Sequence, residues 1–78
     1  MEYTIRKNSE ETPYEVVMND DPSFRVSIYE LTPREWNSKE KKVYGINWFG
    51  CGTLPTKTGR DYAKLIMIAS DIADKLNS

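Results

Sequence analysis

The residues best suited to specific chemistry lie in a glycine-punctuated segment, GCGTLPTKTGRD, between an aromatic stretch and a long amphipathic pattern. Glycines at a turn let a ligand approach the backbone closely. The start of a helix offers unpaired N–H groups and partial positive charge to an anion, and an aromatic ring just upstream could stack on a base. The predicted ligand-binding residues are Trp48, Gly50, Gly52, Thr56, Lys57, Thr58 and Arg60.

The same segment also has a purely structural interpretation. In that case the glycines permit the turn, Leu54 enters the core, and Thr58 caps the helix with Asp61 three residues later, or Thr56 caps it instead. The glycine spacing matches neither the P-loop nor the dinucleotide-binding motif. Two alternatives therefore stay open: a turn that binds a phosphorylated small ligand or a partner protein, and a turn that serves the fold alone.

A second set of residues is typical of single-stranded nucleic-acid binding. Basic and aromatic side chains occur on one predicted strand and in the loop after it, where they could meet phosphates and stacked bases. The acidic pI of ≈ 5.4 opposes this interpretation, because nonspecific affinity for nucleic acid comes from neutralised phosphates. The alternative rests on Arg25, Tyr29, Lys39, Lys41 and Lys42.

Three apolar residues stand outside the predicted core and are candidates for a partner interface. Trp36 lies in a polar, charged loop, where it either folds back as a lid or contacts another molecule. Met67 and Ile68 lie off the apolar stripe of the predicted helix, where they are either incidentally exposed or bind a second copy or a target protein.

The composition argues against catalysis. The chain has no histidine and a single cysteine, Cys51, which excludes a thiolate–imidazole pair, an internal disulfide and zinc sites built on histidine or paired cysteines. Histidine is also the commonest general base near neutral pH. We predict a binding protein that is not an enzyme and uses no cofactor or metal.

Size and patterning predict one small cytoplasmic domain. The chain has 78 residues, of which 38% are hydrophobic and 29% charged, an ordinary globular composition. The opening MEYTIRKN has no signal-peptide pattern, and no apolar run approaches the ~20 residues of a membrane span. Because a domain this short buries only roughly 60–65% of its unfolded surface, it could lean on a second copy, and we predict a homodimer.

Charge is distributed unevenly despite a net charge of −1. Residues 1–31 carry three basic and seven acidic side chains, whereas residues 32–64 carry seven basic and three acidic ones. Such asymmetry either marks a binding face or is an ordinary solvated surface.

Hydrophobic patterning predicts an α+β fold, an antiparallel four-stranded meander in ββββα order packed against one long C-terminal helix. The last strand is apolar on both faces, which is typical of a central strand or of an edge that a second subunit covers. Gly45 within it predicts a bulge or a close backbone approach. Alternation predicts strands at Tyr3–Lys7, Tyr14–Met18, Phe24–Leu31 and Lys42–Phe49.

The C-terminal helix is predicted from a 3.6-residue rhythm of apolar residues held over four turns. This stripe is the largest apolar surface in the chain and should cover the sheet. Its members are Tyr62, Leu65, Ile66, Ala69, Ile72, Ala73 and Leu76.

The ending INWFGCGTL followed by RDYAKLIMIASDIADKLN resembles the C-terminal half of small accessory proteins of bacteriophages and prophages. The resemblance implies a protein that acts by binding in the host cytoplasm, for example by inhibiting a host defence protein or by sequestering a nucleotide signal. The ββββα order is also similar to that of single-stranded-DNA-binding transcriptional coactivators, which implies nucleic acid as the alternative partner.

Overall fold

The structure, a computed structural model, describes residues 1–9, 12–31, 43–48 and 52–78. Four strands form one antiparallel sheet in the order β1-β2-β3-β4, and a helix follows and packs on it. The predicted α+β meander with its C-terminal helix is confirmed. The elements are β1 (Tyr3–Lys7), β2 (Tyr14–Met18), β3 (Arg25–Leu31), β4 (Val43–Trp48) and α1 (Thr56–Asn77).

The hairpin between β2 and β3 forms at the predicted turn. The Asp21 carboxylate accepts hydrogen bonds from the backbone N–H and the hydroxyl of Ser23, at 3.1 and 2.6 Å, so the turn residues satisfy one another locally. Strand β3 begins at Arg25, one residue later than predicted. Phe24 still packs on the core, with its ring edge-on to Tyr62 at a centroid distance of 5.5 Å.

The core lies between α1 and the inner face of the sheet. Val16, Val26 and Ile28 of the central strands are fully buried together with Leu65 and Ala69 of α1. The side chains alternate along each strand as predicted, since period-two patterning sends every second residue to the same face. On α1 the predicted stripe is confirmed from Tyr62 to Ala73, whereas Leu76 in the last turn stays 38% exposed.

Strand β4 lies at an edge of the sheet, so the central-strand alternative is wrong. Its outer edge meets the end of α1: the Tyr44 N–H donates to Asn77 Oδ1 at 2.7 Å, and Asn77 Nδ2 donates to the Tyr44 carbonyl at 2.9 Å. The register with β3 runs unbroken through Gly45, which excludes a bulge. The predicted close approach is confirmed, because Leu31 Cδ1 lies 3.3 Å from where a Cβ of residue 45 would stand. The predicted strand ends Lys42 and Phe49 lie outside the described residues.

Candidate binding groove on the face of the sheet opposite α1

The face of the sheet opposite α1 carries a row of polar side chains and a depression, beside the apolar Val17, Leu31 and Val43. Strand register places Arg6, Glu15, Ser27 and Asn47 in one row across all four strands. These residues alternate with the buried Val16, Val26 and Ile28, so their side chains project away from the helix. The face opposite α1 therefore carries side chains that can donate and accept hydrogen bonds in a continuous line.

A groove of about 410 Å³ lies on this face. It brings together Arg25 and Tyr29, the two sheet residues of the predicted nucleic-acid set, with polar residues that sequence reasoning missed. Those residues alternate outward on neighbouring strands or lie in the β1–β2 turn, but only the strand register reveals that they share one depression. The lining residues are Asn8, Thr12, Glu15, Arg25, Ser27, Tyr29 and Asn47.

The two charged residues that line the groove, Glu15 and Arg25, differ in whether an oppositely charged side chain pairs with them. Glu15 is buried, and its carboxylate accepts a 2.6 Å hydrogen bond from Arg6 Nη2 on the neighbouring strand. Arg25 is exposed and forms no ion pair with any described residue. The Arg25 carbonyl accepts a hydrogen bond at 3.4 Å from the Tyr62 hydroxyl of α1, which packs on the opposite face of the sheet. Within the described residues, the carboxylate of the groove is engaged and the guanidinium is available to an anion.

Tyr29 lies half-buried in the same groove, directly opposite Gly45 of β4. Gly45 has no side chain, and the Leu31 side chain occupies the space over it. Arg25 and Tyr29 are four residues apart, about 13 Å between Cα atoms, and their long side chains can approach each other over Ser27.

The helix start differs from the sequence prediction. Thr56 is the first residue of α1, and Pro55 is the N-cap, with φ −54° and ψ 146° and no capping side chain. The proposals that Thr58 or Thr56 caps the helix are therefore wrong. The extended backbone of Pro55 already sets the entry to the helix, its carbonyl accepts the Gly59 N–H at 2.9 Å, and Gly59 is tolerated inside the first turns.

The predicted ligand-binding residues at the turn are only partly assembled into a cationic site. Lys57 Nζ lies 3.2 Å from Oδ2 of the buried Asp61, one helical turn later. Arg60 is exposed and has no carboxylate partner among the described residues. Gly52 has a φ of +74°, so it is required by the backbone of the turn. Trp48 is 49% exposed on β4, and Gly50 lies outside the described residues.

The two predicted partner-interface residues that the structure describes differ in burial. Met67 is 66% exposed on the outer side of α1, whereas Ile68 packs against the core cluster. Ile68 lies off the predicted stripe but at its margin, next to the buried Leu65 and the half-buried Ile72, so it is not merely exposed. Trp36, together with the predicted nucleic-acid residues Lys39, Lys41 and Lys42, lies outside the described residues.

Two further classes of site are absent from the described parts of the chain. No group of three or more carboxylates or thiols there is arranged to hold a metal ion. Among those same residues, no helix combines the length and apolar composition that crossing a membrane requires.

Comparison with known proteins gives no relative from which a role can be transferred. No protein-family model, no curated protein and no solved structure matches this chain.

Proposed function

We propose that this chain is a non-enzymatic binding protein that holds a nucleotide unit, free or within a single strand, in the groove on the face of the sheet opposite α1. The observation that carries the proposal is the grouping of Arg25, Tyr29, Ser27 and Asn47 around one depression of about 410 Å³. A nucleotide combines a phosphate, a flat aromatic base and base-edge hydrogen-bonding groups, and the groove offers a counterpart to each.

Each side chain has a separate role in this proposal. The Arg25 guanidinium forms charge-assisted hydrogen bonds with a phosphate, which its planar fork suits better than an ammonium does. The Tyr29 ring stacks on the base, an interaction that tolerates any base because each has a π-face. Ser27 and Asn47 both donate and accept hydrogen bonds, and they lie directly opposite each other across β3 and β4.

The role of the protein then follows from what the groove lacks. With no histidine in the chain, a bound phosphate has no imidazole to act as general base. A sequestering protein of the phage type implied by the resemblance needs only such a non-catalytic groove. Host-protein inhibition through the exposed Met67 stays a separate prediction of the same resemblance.

The test uses fluorescence anisotropy with labelled oligothymidylate at low salt, alongside thermal shift with a panel of mononucleotides. Tyr29→Leu keeps an apolar side chain but removes the ring, and it should weaken binding about tenfold or more. Tyr29→Phe is the matched control and should bind nearly as well as the unmodified protein. Arg25→Ala should weaken binding and flatten its salt dependence. If neither probe binds, or if Tyr29→Leu binds like Tyr29→Phe, the groove proposal is wrong.

A second candidate site for the phosphate is the start of α1. It is favoured by the absence of a capping side chain and of any acidic residue in the first helical turn, which leaves the first N–H groups available to an anion. Lys57→Glu combined with Arg60→Glu should abolish nucleotide-dependent thermal stabilisation if this site is used. The same double variant should leave binding unchanged if the ligand lies in the sheet groove, so the two sites are distinguishable.

A further inference from the structure

Strand β1 is an unprotected edge of the sheet. All five of its residues are exposed, and they include the large apolar side chains Tyr3 at 43% and Ile5 at 48%. Both project toward the side of the sheet that α1 covers, but α1 packs mainly on β2, β3 and β4. The outermost strand therefore presents apolar side chains that are left about half exposed.

The hydrogen-bond phase of β1 shows which backbone groups face outward. The Asn19 N–H donates to the Glu2 carbonyl at 3.0 Å, and the Asn8 N–H donates to the Pro13 carbonyl at 2.8 Å. In an antiparallel pair, alternate residues exchange such bonds, so the even-numbered residues of β1 face β2. The N–H and C=O groups of Tyr3, Ile5 and Lys7 consequently point to the free edge, where no strand described in the structure pairs with them.

Edges of this kind are usually blocked in soluble proteins. Proline, a bulge or a covering segment prevents another strand from adding to the sheet. Strand β1 contains no proline, and its register with β2 is continuous from Tyr3 to Lys7. Arg6 does not block the edge either, because it reaches sideways to Glu15. The free edge is thus open to strand addition.

We propose that two copies of this chain associate through their β1 strands, antiparallel about a two-fold axis, with Thr4 opposite Thr4 of the second copy. In this register Tyr3 lies opposite Ile5 of the second copy, and Glu2 lies opposite Arg6 of the second copy. The outward N–H and C=O groups of Tyr3 and Ile5 then pair directly. The result is a continuous sheet with twice the four strands of one chain.

The occupant is a second copy because the strand is complementary to itself. A two-fold contact uses the same patch on both chains, and here each copy supplies one carboxylate and one guanidinium, Glu2 and Arg6. Arg6 would lie between Glu15 of its own chain and Glu2 of the second copy, so charges alternate in sign across three strands. Opposite charges placed directly across a strand pair are stabilising.

The register is selected by the same charges. The two copies keep their corresponding side chains on the same face of the joint sheet only if a residue of β1, such as Thr4 or Ile5, lies on the two-fold axis. Pairing centred on Ile5 would place Tyr3 opposite Lys7 and Arg6 opposite Thr4, which leaves Glu2 without an opposite charge. Pairing centred on Thr4 matches both the charged side chains and the aromatic and β-branched ones.

Disulfide trapping tests the register directly. In a Cys51→Ser background, Thr4→Cys places two thiols across a non-hydrogen-bonded pair with Cα atoms about 4.5 Å apart, within disulfide range. Ile5→Cys is the matched control, since its thiols would be diagonal neighbours about 7–8 Å apart. With glutathione disulfide as oxidant, Thr4→Cys should give a covalent dimer and Ile5→Cys should not. Equal trapping of both, or trapping of Ile5→Cys alone, would overturn the proposal.

Sedimentation equilibrium of the cysteine-unmodified protein supplies an independent measurement. The mass should approach twice the 9.1 kDa of the chain as concentration rises. Glu2 is exposed, and its carboxylate bonds to no described residue. Glu2→Lys places a lysine opposite Arg6 of the second copy at both symmetric positions, so it should weaken the dimer about tenfold or more. A monomer at every concentration, or a dimer that Glu2→Lys leaves unchanged, contradicts association through β1.

Discussion

The two outer strands of the sheet meet the helix in different ways. On β4, Asn77 of α1 occupies both outward backbone groups of Tyr44, as donor to the carbonyl and as acceptor from the N–H. On β1, every residue is exposed, including the large apolar residues Tyr3 and Ile5. One helix can cover roughly the width of three strands, since strands lie about 4.8 Å apart and a helix with its side chains is about 10–12 Å across. The fourth strand, β1, is therefore left exposed.

The largest expected contrast is between two isoleucines on the same face of the sheet. Ile28→Ala removes a fully buried side chain from β3 and should lower the free energy of unfolding by about 2–5 kcal/mol. Ile5→Ala on β1 removes a half-exposed one and should cost less than about 1 kcal/mol. Urea unfolding followed by tryptophan fluorescence measures both.

Two checks keep this contrast interpretable. Ile28→Val, expected to cost about 0.5–1.5 kcal/mol, replaces Ile28→Ala if the latter does not fold. Similar losses for Ile5→Ala and Ile28→Ala at low protein concentration would mean that β1 is packed in the monomer, and the contrast between the strands would fail.

The next largest effect concerns the clamp on β4. Asn77→Ala removes both hydrogen bonds to Tyr44 and should destabilise the protein by about 2 kcal/mol, while amide exchange at Tyr44 becomes faster. Asn77→Asp is the matched variant: it keeps the acceptor for the Tyr44 N–H but sets a carboxylate oxygen against the Tyr44 carbonyl. Unchanged exchange at Tyr44 in Asn77→Ala would show that the amide does not protect this edge.

A smaller effect is expected at the ion pair that ties β1 to β2. Arg6→Ala leaves the buried Glu15 carboxylate without its 2.6 Å hydrogen bond and should cost about 1 kcal/mol. Lys57→Ala breaks a pair whose lysine side chain is 82% exposed and should cost less than about 0.5 kcal/mol. Thermal unfolding of both variants at two salt concentrations compares them. A larger loss of stability in Lys57→Ala than in Arg6→Ala would contradict the expectation that the Arg6–Glu15 pair contributes more to stability.

The smallest expected change strengthens the helix without touching either edge. Gly59 lies in the first turns of α1, with open space where a Cβ would stand, so Gly59→Ala should stabilise the protein by about 0.5–1 kcal/mol. Amide exchange at Tyr44 should slow in this variant, because α1 carries the Asn77 clamp, whereas exchange on β1 should stay as it is. Destabilisation by Gly59→Ala would show that α1 does not begin at Thr56.

Local patterning was sufficient to predict most of the fold. Alternation located the four strands, and the 3.6-residue rhythm located α1, because both periods follow from backbone geometry alone. The helix start was missed because Thr58 with Asp61 three residues later, or Thr56, predicts a later start, whereas the extended backbone of Pro55 begins the helix at Thr56. Ile68 packs against the core although it lies off the predicted stripe, because a wide apolar face, rather than a narrow stripe, covers the sheet.

The candidate groove was only half predictable. Arg25 and Tyr29 stood out by residue type, but Ser27, Asn47 and Glu15 are common strand residues that become neighbours only through the pairing of β2, β3 and β4. Likewise, the matched charges of Glu2 and Arg6 acquire meaning only once the hydrogen-bond phase of β1 is known. Cross-strand register depends on the whole sheet and cannot be read from one segment.

The bond between Tyr44 and Asn77 also bears on the order of folding. The meander is built from neighbouring hairpins, whose local contacts form early, whereas this clamp joins residues 33 positions apart in the sequence. Until α1 docks, β4 presents the same open backbone as β1, and the sheet can add a foreign strand on either side. Docking engages the outward N–H and C=O of Tyr44 and so opposes strand addition at that point of β4, whereas, among the described strands, all the outward backbone groups of β1 stay available to a second chain.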